Sequence, residues 1–306
     1  MRLSVVVPTL NAREQLAATL SALGSAAPDA EVVVVNGPSA DGTSGMVREH
    51  EAADVLLELS ERNLNAARNA GIKVASGDLV AFVGQDTQLE DSWVAAVTEA
   101  IEEGADAVTG PVHRRVSGGV TTESLEEHTI GSRTVRFFDG GNVVFTKAVL
   151  DSLDGFDEYL HTGGARDAAH RLAGLGATVA WEPAAVVLRE EQDDVIHRVG
   201  DDDPATVEGL KYRSLGYRLA KNYGLRARIV ARLLRHLIGE GLSEAWTVLR
   251  GEGRPSTWLG TGRAVTTNSV MGVQDGLAAR VADRSPKRNP NGVSSTRNRP
   301  VARYNL

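Results

Sequence analysis

A chain of 306 residues, 42% apolar and 24% charged, can bury a sizeable core and has room for one large domain with an extension. The absence of cysteine excludes disulfide scaffolds, thiolate catalysis and Cys-ligated zinc or iron–sulfur centres. The formal net charge of −7 conceals a division: residues 1–208 carry 15 Lys and Arg against 35 Asp and Glu, and residues 209–306 carry 18 against 5.

Leu3 to Val7 is an apolar run closed by Pro8, the pattern of a strand buried on both faces. Asn11 is placed to cap the next helix, with Glu14 completing a capping box before Leu16, Leu20 and Leu23. Val32 to Val35 repeats the strand pattern, Gly37-Pro38-Ser39 breaks it, and Ser39 can cap a short helix running to Arg48. Val55 to Leu59, Asn65 to Ala75, Leu79 to Val83, Trp93 to Ile101 and Ala105 to Thr109 continue the alternation. Strands and helices alternating at this length predict an α/β chain with a parallel sheet and helices on both faces. After Pro111 the regularity stops: Val112 to Thr122 reads as a hairpin about Gly118-Gly119, Asn142 to Phe145 and Thr178 to Trp181 as strands, and Arg166 to Gly174 as a helix. The acidic stretch Glu190 to Asp203 reads as a loop, and the Arg-, Asn-, Ser- and Pro-rich chain from Asp283 as a flexible tail. No apolar run approaches the roughly 20 residues that cross a membrane, and Met1-Arg2-Leu3 leads into a strand without a signal-peptide stretch. The expectation is a cytoplasmic protein, soluble or peripheral.

In an open α/β sheet, ligands sit beyond the carboxyl ends of the strands. The polar residues there are Pro8-Thr9-Leu10-Asn11, then Asn36 to Asp41, then Gly84-Gln85-Asp86, with Arg68-Asn69 on a helix starting at the same edge. Short hydrogen-bonding groups, one fork-shaped cation and a carboxylate suit a nucleoside diphosphate held partly through a divalent metal. No G-x-x-x-x-G-K-[ST] is present and no G-x-G-x-x-G follows the first strand, which argues against a P-loop or a dinucleotide fingerprint.

Four segments, in order over roughly residues 1–190, resemble family 2 glycosyltransferases. They are Val5-Val6-Val7-Pro8-Thr9-Leu10-Asn11; Val35-Asn36-Gly37-Pro38-Ser39-Ala40-Asp41-Gly42-Thr43; Ala67-Arg68-Asn69-Ala70-Gly71 through Gly77-Asp78; and Gly155-Phe156-Asp157 through Arg166-Asp167 to Arg171-Leu172. The resemblance implies the GT-A fold, a Rossmann-like, mostly parallel central sheet with helices on both faces, here with a helical C-terminal extension. Expected boundaries are 1–110 for the nucleotide-sugar half, 111–200 for the acceptor half, 201–282 for the extension and 283–306 for the tail.

The family's chemistry implies an inverting transfer. Asp167 would be the general base, Asp86 would bind Mg²⁺ or Mn²⁺, and Pro8, Thr9, Asn11, Asn36, Ser39, Asp41 and Arg68 would bind the nucleotide. Asn142, Arg166, His170 and Arg171 would line the sugar or acceptor site. Three departures stand out: Asn36 replaces the aspartate that reads the base, Gly84 replaces the first carboxylate of the D-x-D motif, and Arg166 replaces the acid beside Asp167. The Asn-Gly-Pro-Ser loop, the Gly-Gln-Asp site and the Arg-rich extension resemble haloarchaeal transferases of the Agl N-glycosylation pathway. That likeness implies a UDP-glucuronic acid donor and a dolichol-phosphate-linked saccharide acceptor. A polyprenyl-phosphate monosaccharide synthase or a non-catalytic GT-A homologue are the alternatives.

In the extension, Lys211, Arg218, Lys221, Arg228, Arg232 and Arg235 are spaced 7, 3, 7, 4 and 3 apart, and no acid occurs between Glu208 and Glu240. A basic amphipathic stripe of this kind suits an anionic membrane surface, which would place the protein at the inner face of the cell membrane. Nucleic acid is not an expected partner.

Overall fold

In a strand, successive side chains point to opposite faces, so the valine runs divide between two cores. The computed structural model describes residues 1–116, 119–122, 124–189, 204–227, 231, 255–282, 289–295 and 300–306. The first half runs β1 (Leu3–Thr9), α1 (Arg13–Ala26), β2 (Glu31–Asn36), α2 (Thr43–Arg48), β3 (Val55–Glu58), α3 (Leu64–Val74), β4 (Leu79–Val83), β5 (Thr87–Leu89), α4 (Trp93–Glu102) and β6 (Ala107–Thr109). The second half runs β7 (Val112–Val116), β8 (Gly119–Thr122), β9 (Glu127–Ile130), β10 (Arg133–Arg136), β11 (Asn142–Thr146), α5 (Lys147–Leu153), α6 (Gly164–Leu175), β12 (Val179–Trp181) and β13 (Val187–Arg189). It closes with α7 (Pro204–Tyr223), α8 (Pro255–Ala282) and β14 (Ala302–Asn305).

The main sheet has the order β12-β6-β11-β4-β1-β2-β3-β14. Its strands are parallel except β11, antiparallel to β4 and β6, and β14, antiparallel to β3. Val5, Val7, Val32 and Val34 pack under α1 and α4 with Leu16, Leu20, Trp93 and Val97. Val6, Val33 and Val35 face α3, α5 and α6 with Ile72, Leu150 and Leu172. Because β1, β2 and β4 are parallel neighbours, their carboxyl ends share one edge, and antiparallel β11 begins at that same edge. The expected hairpin is present as the antiparallel pair β7 and β8, within a smaller sheet ordered β5-β13-β7-β8; Gly118 lies outside the described residues.

Three local expectations are corrected. Asn11 does not cap α1: its φ is 47°, and its side-chain oxygen accepts from the Ala40 N–H at 2.8 Å, tying the β1 loop to the β2 loop. Ser39 does not cap α2, which starts after Gly42; the Asp41 carboxylate takes the Thr43 N–H at 3.0 Å instead. The expected tail from Asp283 is in part ordered. Asn289 donates to the Asp154 carbonyl, Ser294 bonds the Asp154 carboxylate, and β14 covers the outer edge of β3. Pairing of this kind uses backbone groups and leaves alternate side chains in water, so composition does not reveal it.

The extension packs as a close pair, α7 against α8. A Cβ at Gly272 would lie 2.1 Å from the Arg213 carbonyl oxygen, and one at Gly276 2.3 Å from that of Tyr217. The basic stripe does not survive as expected: Lys221 is buried, bonded to Asp157 at 2.5 Å and to Asp167 at 2.9 Å. Arg228, Arg232, Arg235 and the stretch 190–203 lie outside the described residues. Among the described residues no helix is long and apolar enough to cross a membrane.

Candidate active site

Where β1 and β4 end side by side, the Leu10 N–H donates to the Gln85 side-chain oxygen at 2.9 Å. Thr9 and Gln85 are buried there, and Thr9 Oγ1 and Gln85 Nε2 have no hydrogen-bond partner among the described residues. Pro8 lies within β1, in register with Val35, and serves as a strand residue. Beside it, Asn36 closes the β2 loop on itself: its oxygen accepts from Ser39 at 2.6 Å and its amide donates to Ser44 at 2.8 Å. Asp41 accepts from the N–H groups of Arg13 and Thr43. Although burial opposes ionisation, these bonds and the Thr43 hydroxyl hold its carboxyl below the usual range.

Arg68 reaches this edge from α3, whose start is set by Asn63 accepting from the N–H groups of Asn65 and Ala66. Asn65 and Asn69 anchor the helix to the 156–160 loop through backbone bonds with Phe156, Asp157 and Leu160. The Arg68 guanidinium donates to the Gly140 carbonyl at 2.9 Å and stacks over Phe156, while its Nε has no partner among the described residues. Desolvation pushes its pKa down to about 10; Asp139 opposes that fall and Arg189 adds to it. It remains a cation at neutral pH. Buried polar atoms without partners are costly, and three of them at one strand edge mark a place prepared for a polar ligand.

Next to Arg68 is a cluster that the motifs do not disclose. Arg189, the last residue of β13, donates to both oxygens of Asp139 at 3.0 and 3.2 Å, and its Nε lies 3.4 Å from Asp86 Oδ1. Arg114 of β7 lies 3.7 Å from the other side of Asp139. Burial would raise the Asp139 carboxyl, but Arg189, the Gly141 N–H and Arg114 together hold it below the usual range. Asp139-Gly140-Gly141 precedes Asn142 and could have been read as a short acid ahead of a close backbone approach. Arg189 had no comparable signal, because β13 pairs with β5 and β7 at long range.

The expected metal position tests poorly against these donors. Gly84 supplies no ligand, and Asp86 is already paired with Arg189. A Cβ at Gly84 would meet Arg189 Nη2 at 3.2 Å, and one at Gly141 would meet it at 2.7 Å. The guanidinium therefore borders the place at which a side chain on residue 84 would begin, together with Thr87 Oγ1 and Asp86 Oδ1. Among the described residues no three His, Asp or Glu side chains group as a metal site. This donor set does not fit a resident divalent ion.

The residues expected from α6 and β11 have other duties. Asp167 is wholly buried, with one oxygen accepting from Arg171 and Lys221 at 2.8 and 2.9 Å and the other from Asn222 at 2.9 Å. Burial would raise its pKa, but Lys221 and Arg171 override that and hold it far below the usual carboxylate value. Enclosed in this way, the carboxylate clamps α7 to α6. Arg171 also donates to the Leu153 and Gly155 carbonyls, and His170 is buried against Tyr223. Asn142 accepts from the Trp93 indole at 2.8 Å and donates to the Ala185 carbonyl, so its side chain ties β11 to α4 and to the loop before β13. Arg166 forms a forked pair with Glu126 at 2.7 and 2.9 Å over the Phe137 ring. The missing signal was α7, whose Lys221 meets Asp157 and Asp167 only in the folded chain.

Residues 4–152 match the profile of glycosyl transferase family 2. The chain is similar to the glycosyltransferase AglE of Haloferax volcanii, with 28% identity over 59% of this chain and 66% of that one. It is similar to the dolichol-phosphate mannosyltransferase of Pyrococcus furiosus, with 33% identity over 39% of this chain and 35% of the relative. The matches thus span less than two thirds of either relative. Among solved structures, the mannosyltransferase PcManGT of Pyrobaculum calidifontis, in complex with GDP-Man and Mn²⁺, superposes with a TM-score of 0.56 at 17% identity, over 93% of this chain and 88% of that one. The parallel strand edge and the matched residues lead to one assignment: residues 4–152 are those of a glycosyl transferase family 2 domain, and the fold is GT-A.

Proposed function

We propose that the protein moves a sugar from a nucleoside-diphosphate donor to a saccharide carried on dolichol phosphate, with UDP-glucuronic acid as the donor to test first. The observation that supports sugar-nucleotide chemistry is the strand edge itself, where Thr9 Oγ1, Arg68 Nε and Gln85 Nε2 are buried without partners beside Asn11, Asn36, Ser39 and Asp41. The resemblance of the loops to haloarchaeal Agl-pathway transferases supports the N-glycosylation setting, and similarity to the glycosyltransferase AglE agrees with it. In this reading the acceptor oxygen attacks the anomeric carbon as the bond to the diphosphate breaks, and the configuration inverts. Arg68 holds a phosphate, and the β2 loop borders the nucleoside. A divalent ion at Asp86, as the family resemblance implies, would have to displace Arg189 from that carboxylate. Residues 209–306, with 18 basic against 5 acidic side chains, would bring the protein to an anionic inner-membrane surface.

One observation favours a second acceptor, the phosphate of a polyprenyl phosphate. Asp167 is enclosed by Lys221, Arg171 and Asn222, and a phosphate oxygen, already ionised at neutral pH, needs no base to attack. The Pyrococcus dolichol-phosphate mannosyltransferase is similar over 124 residues. Incubating the full chain with labelled UDP-glucuronic acid, UDP-glucose or GDP-mannose, against dolichyl phosphate alone or membranes bearing lipid-linked saccharides, separates the two. Label entering only the saccharide-bearing lipids supports the first reading, label on dolichyl phosphate supports the second, and no transfer under any pairing overturns both. Sedimentation with anionic against neutral vesicles tests the membrane contact.

A further inference from the structure

The Asp86–Arg189–Asp139 cluster has a construction that sugar-nucleotide chemistry by itself does not require. Arg189 stands at the end of β13, its guanidinium gripped by the two Asp139 oxygens at 3.0 and 3.2 Å and 3.4 Å from Asp86. Its Nη2 lies against Gly84 and Gly141: a Cβ on Gly141 would come within 2.7 Å of it, and one on Gly84 within 3.2 Å, after meeting Thr87 Oγ1 at 2.6 Å and Asp86 Oδ1 at 3.0 Å. The Gly84 N–H donates to the Gly141 carbonyl at 3.1 Å, which fixes the two glycines relative to one another. Arg68 enters the same region through the Gly140 carbonyl. Arg68, Arg114 and Arg189 against Asp86 and Asp139 leave the group with one positive charge in excess. A surplus of cation suits a dianionic diphosphate and repels a divalent metal.

We propose that Arg189, seated between Gly84 and Gly141, is the leaving-group cation of this transferase and takes the place that a divalent metal fills in a complete D-x-D site. The proposal rests on the nucleotide-sugar reading above. In the transfer, the bond between the anomeric carbon and the diphosphate oxygen breaks and its electron pair stays on that oxygen. The acceptor oxygen forms the new bond to the same carbon, and its proton, where it carries one, leaves to solvent water. Arg189, with Arg68, meets the negative charge that gathers on the diphosphate. Asp139 keeps the guanidinium aimed, so it is a positioning residue. Arg189 spends one N–H of each terminal nitrogen on Asp139 and keeps its remaining N–H groups, in a fixed plane, for a phosphate; a lysine in the same place has no such fixed plane.

The test is calorimetric titration of the full chain with UDP and with GDP, once in EDTA and once in millimolar MnCl₂. One of the two nucleotides is expected to bind with an affinity that changes less than about threefold between the two conditions, since a charge-assisted contact already in place leaves metal little to add. Arg189→Met is expected to weaken that binding roughly tenfold to a hundredfold, the loss of a charged hydrogen bond, with Arg189→Lys falling between. Unchanged far-UV circular dichroism and melting establish that each variant folds; Arg189→Lys keeps a charge in the slot and carries the test if the methionine variant does not fold. Electron paramagnetic resonance of Mn²⁺ with the nucleotide-free protein should show the signal of the free aqueous ion undiminished. Nucleotide binding that appears only with Mn²⁺, stoichiometric loss of the free-ion signal, or an Arg189→Met protein that binds like the parent overturns the proposal while leaving the nucleotide-sugar reading in place. Failure of both UDP and GDP to bind in either condition overturns both.

Discussion

Asp167 keeps a motif residue's place in the chain while its carboxylate is built into a buried ion cluster. Its position after Arg166 and before Arg171 is that of a family base, yet its carboxylate is enclosed by Lys221, Arg171 and Asn222. Breaking a buried pair by removing one partner leaves the other charge uncompensated. Asp167→Asn is therefore expected to lower unfolding free energy by about 3–5 kcal/mol, read from urea midpoints. Transfer per folded molecule should fall far less than the roughly 10²–10⁴-fold of a lost general base. A loss of turnover on that larger scale, in protein shown to be folded, would restore Asp167 to the chemistry. At the same scale, Asn36 and Asp41 were visible as strand-end polar residues, and they do sit at the edge. Arg189 was not, because nothing local sets it apart from the other arginines.

The helical extension is held by backbone proximity as much as by apolar burial. α7 and α8 approach through Gly216, Gly272 and Gly276, where a Cβ would fall 2.1–2.6 Å from carbonyl oxygens of the facing helix. At such separations the helices must part to accept any side chain. Gly276→Leu is expected to undock α8 from α7, seen as faster amide exchange along Pro255–Ala282 and early proteolytic cutting there, with the main sheet retaining its protection. Uniform loss of protection across β1, β2 and β4 would instead mean that the pair is integral to the core. The strand–helix alternation of residues 1–110 was legible because each element has its own period. The extension read as helical, but the close approach of α7 to α8 did not show, because glycines that serve such an approach look in sequence like helix breakers. β14 was invisible for the reason that edge pairing is a backbone matter.

Taken whole, the molecule depends on ionised carboxylates. Arg166 and its hydrogen bond hold Glu126 low. Asp139, Asp167 and Asp275 are each pushed up by burial and then brought below their usual values by Arg189, by Lys221 and Arg171, and by Tyr159 and Arg213 respectively. Between the folded and unfolded values the unfolded chain binds more protons, so stability rises with pH through that window. The contribution is complete above about pH 4, the ordinary carboxylate value, and is lost as pH falls below it. Urea midpoints followed from neutral pH downward should stay level and then drop below that point. Salt should alter the drop only modestly, because the Asp167 and Asp157 pairs with Lys221 are enclosed. A decline that begins near neutrality would point to a group other than these carboxylates.

By itself the sequence determined the sheet-and-helix alternation, the edge at which ligands gather, and the family, because hydrophobic period and short motifs act within a few residues of one another. Only the tertiary structure decided which charges meet: that Lys221 closes over Asp157 and Asp167, that Arg189 enters the slot between Gly84 and Gly141, and that the tail pairs with β3. Those contacts join residues 48 to 250 positions apart. Their energies come from desolvation and distance, and neither exists until the chain has folded.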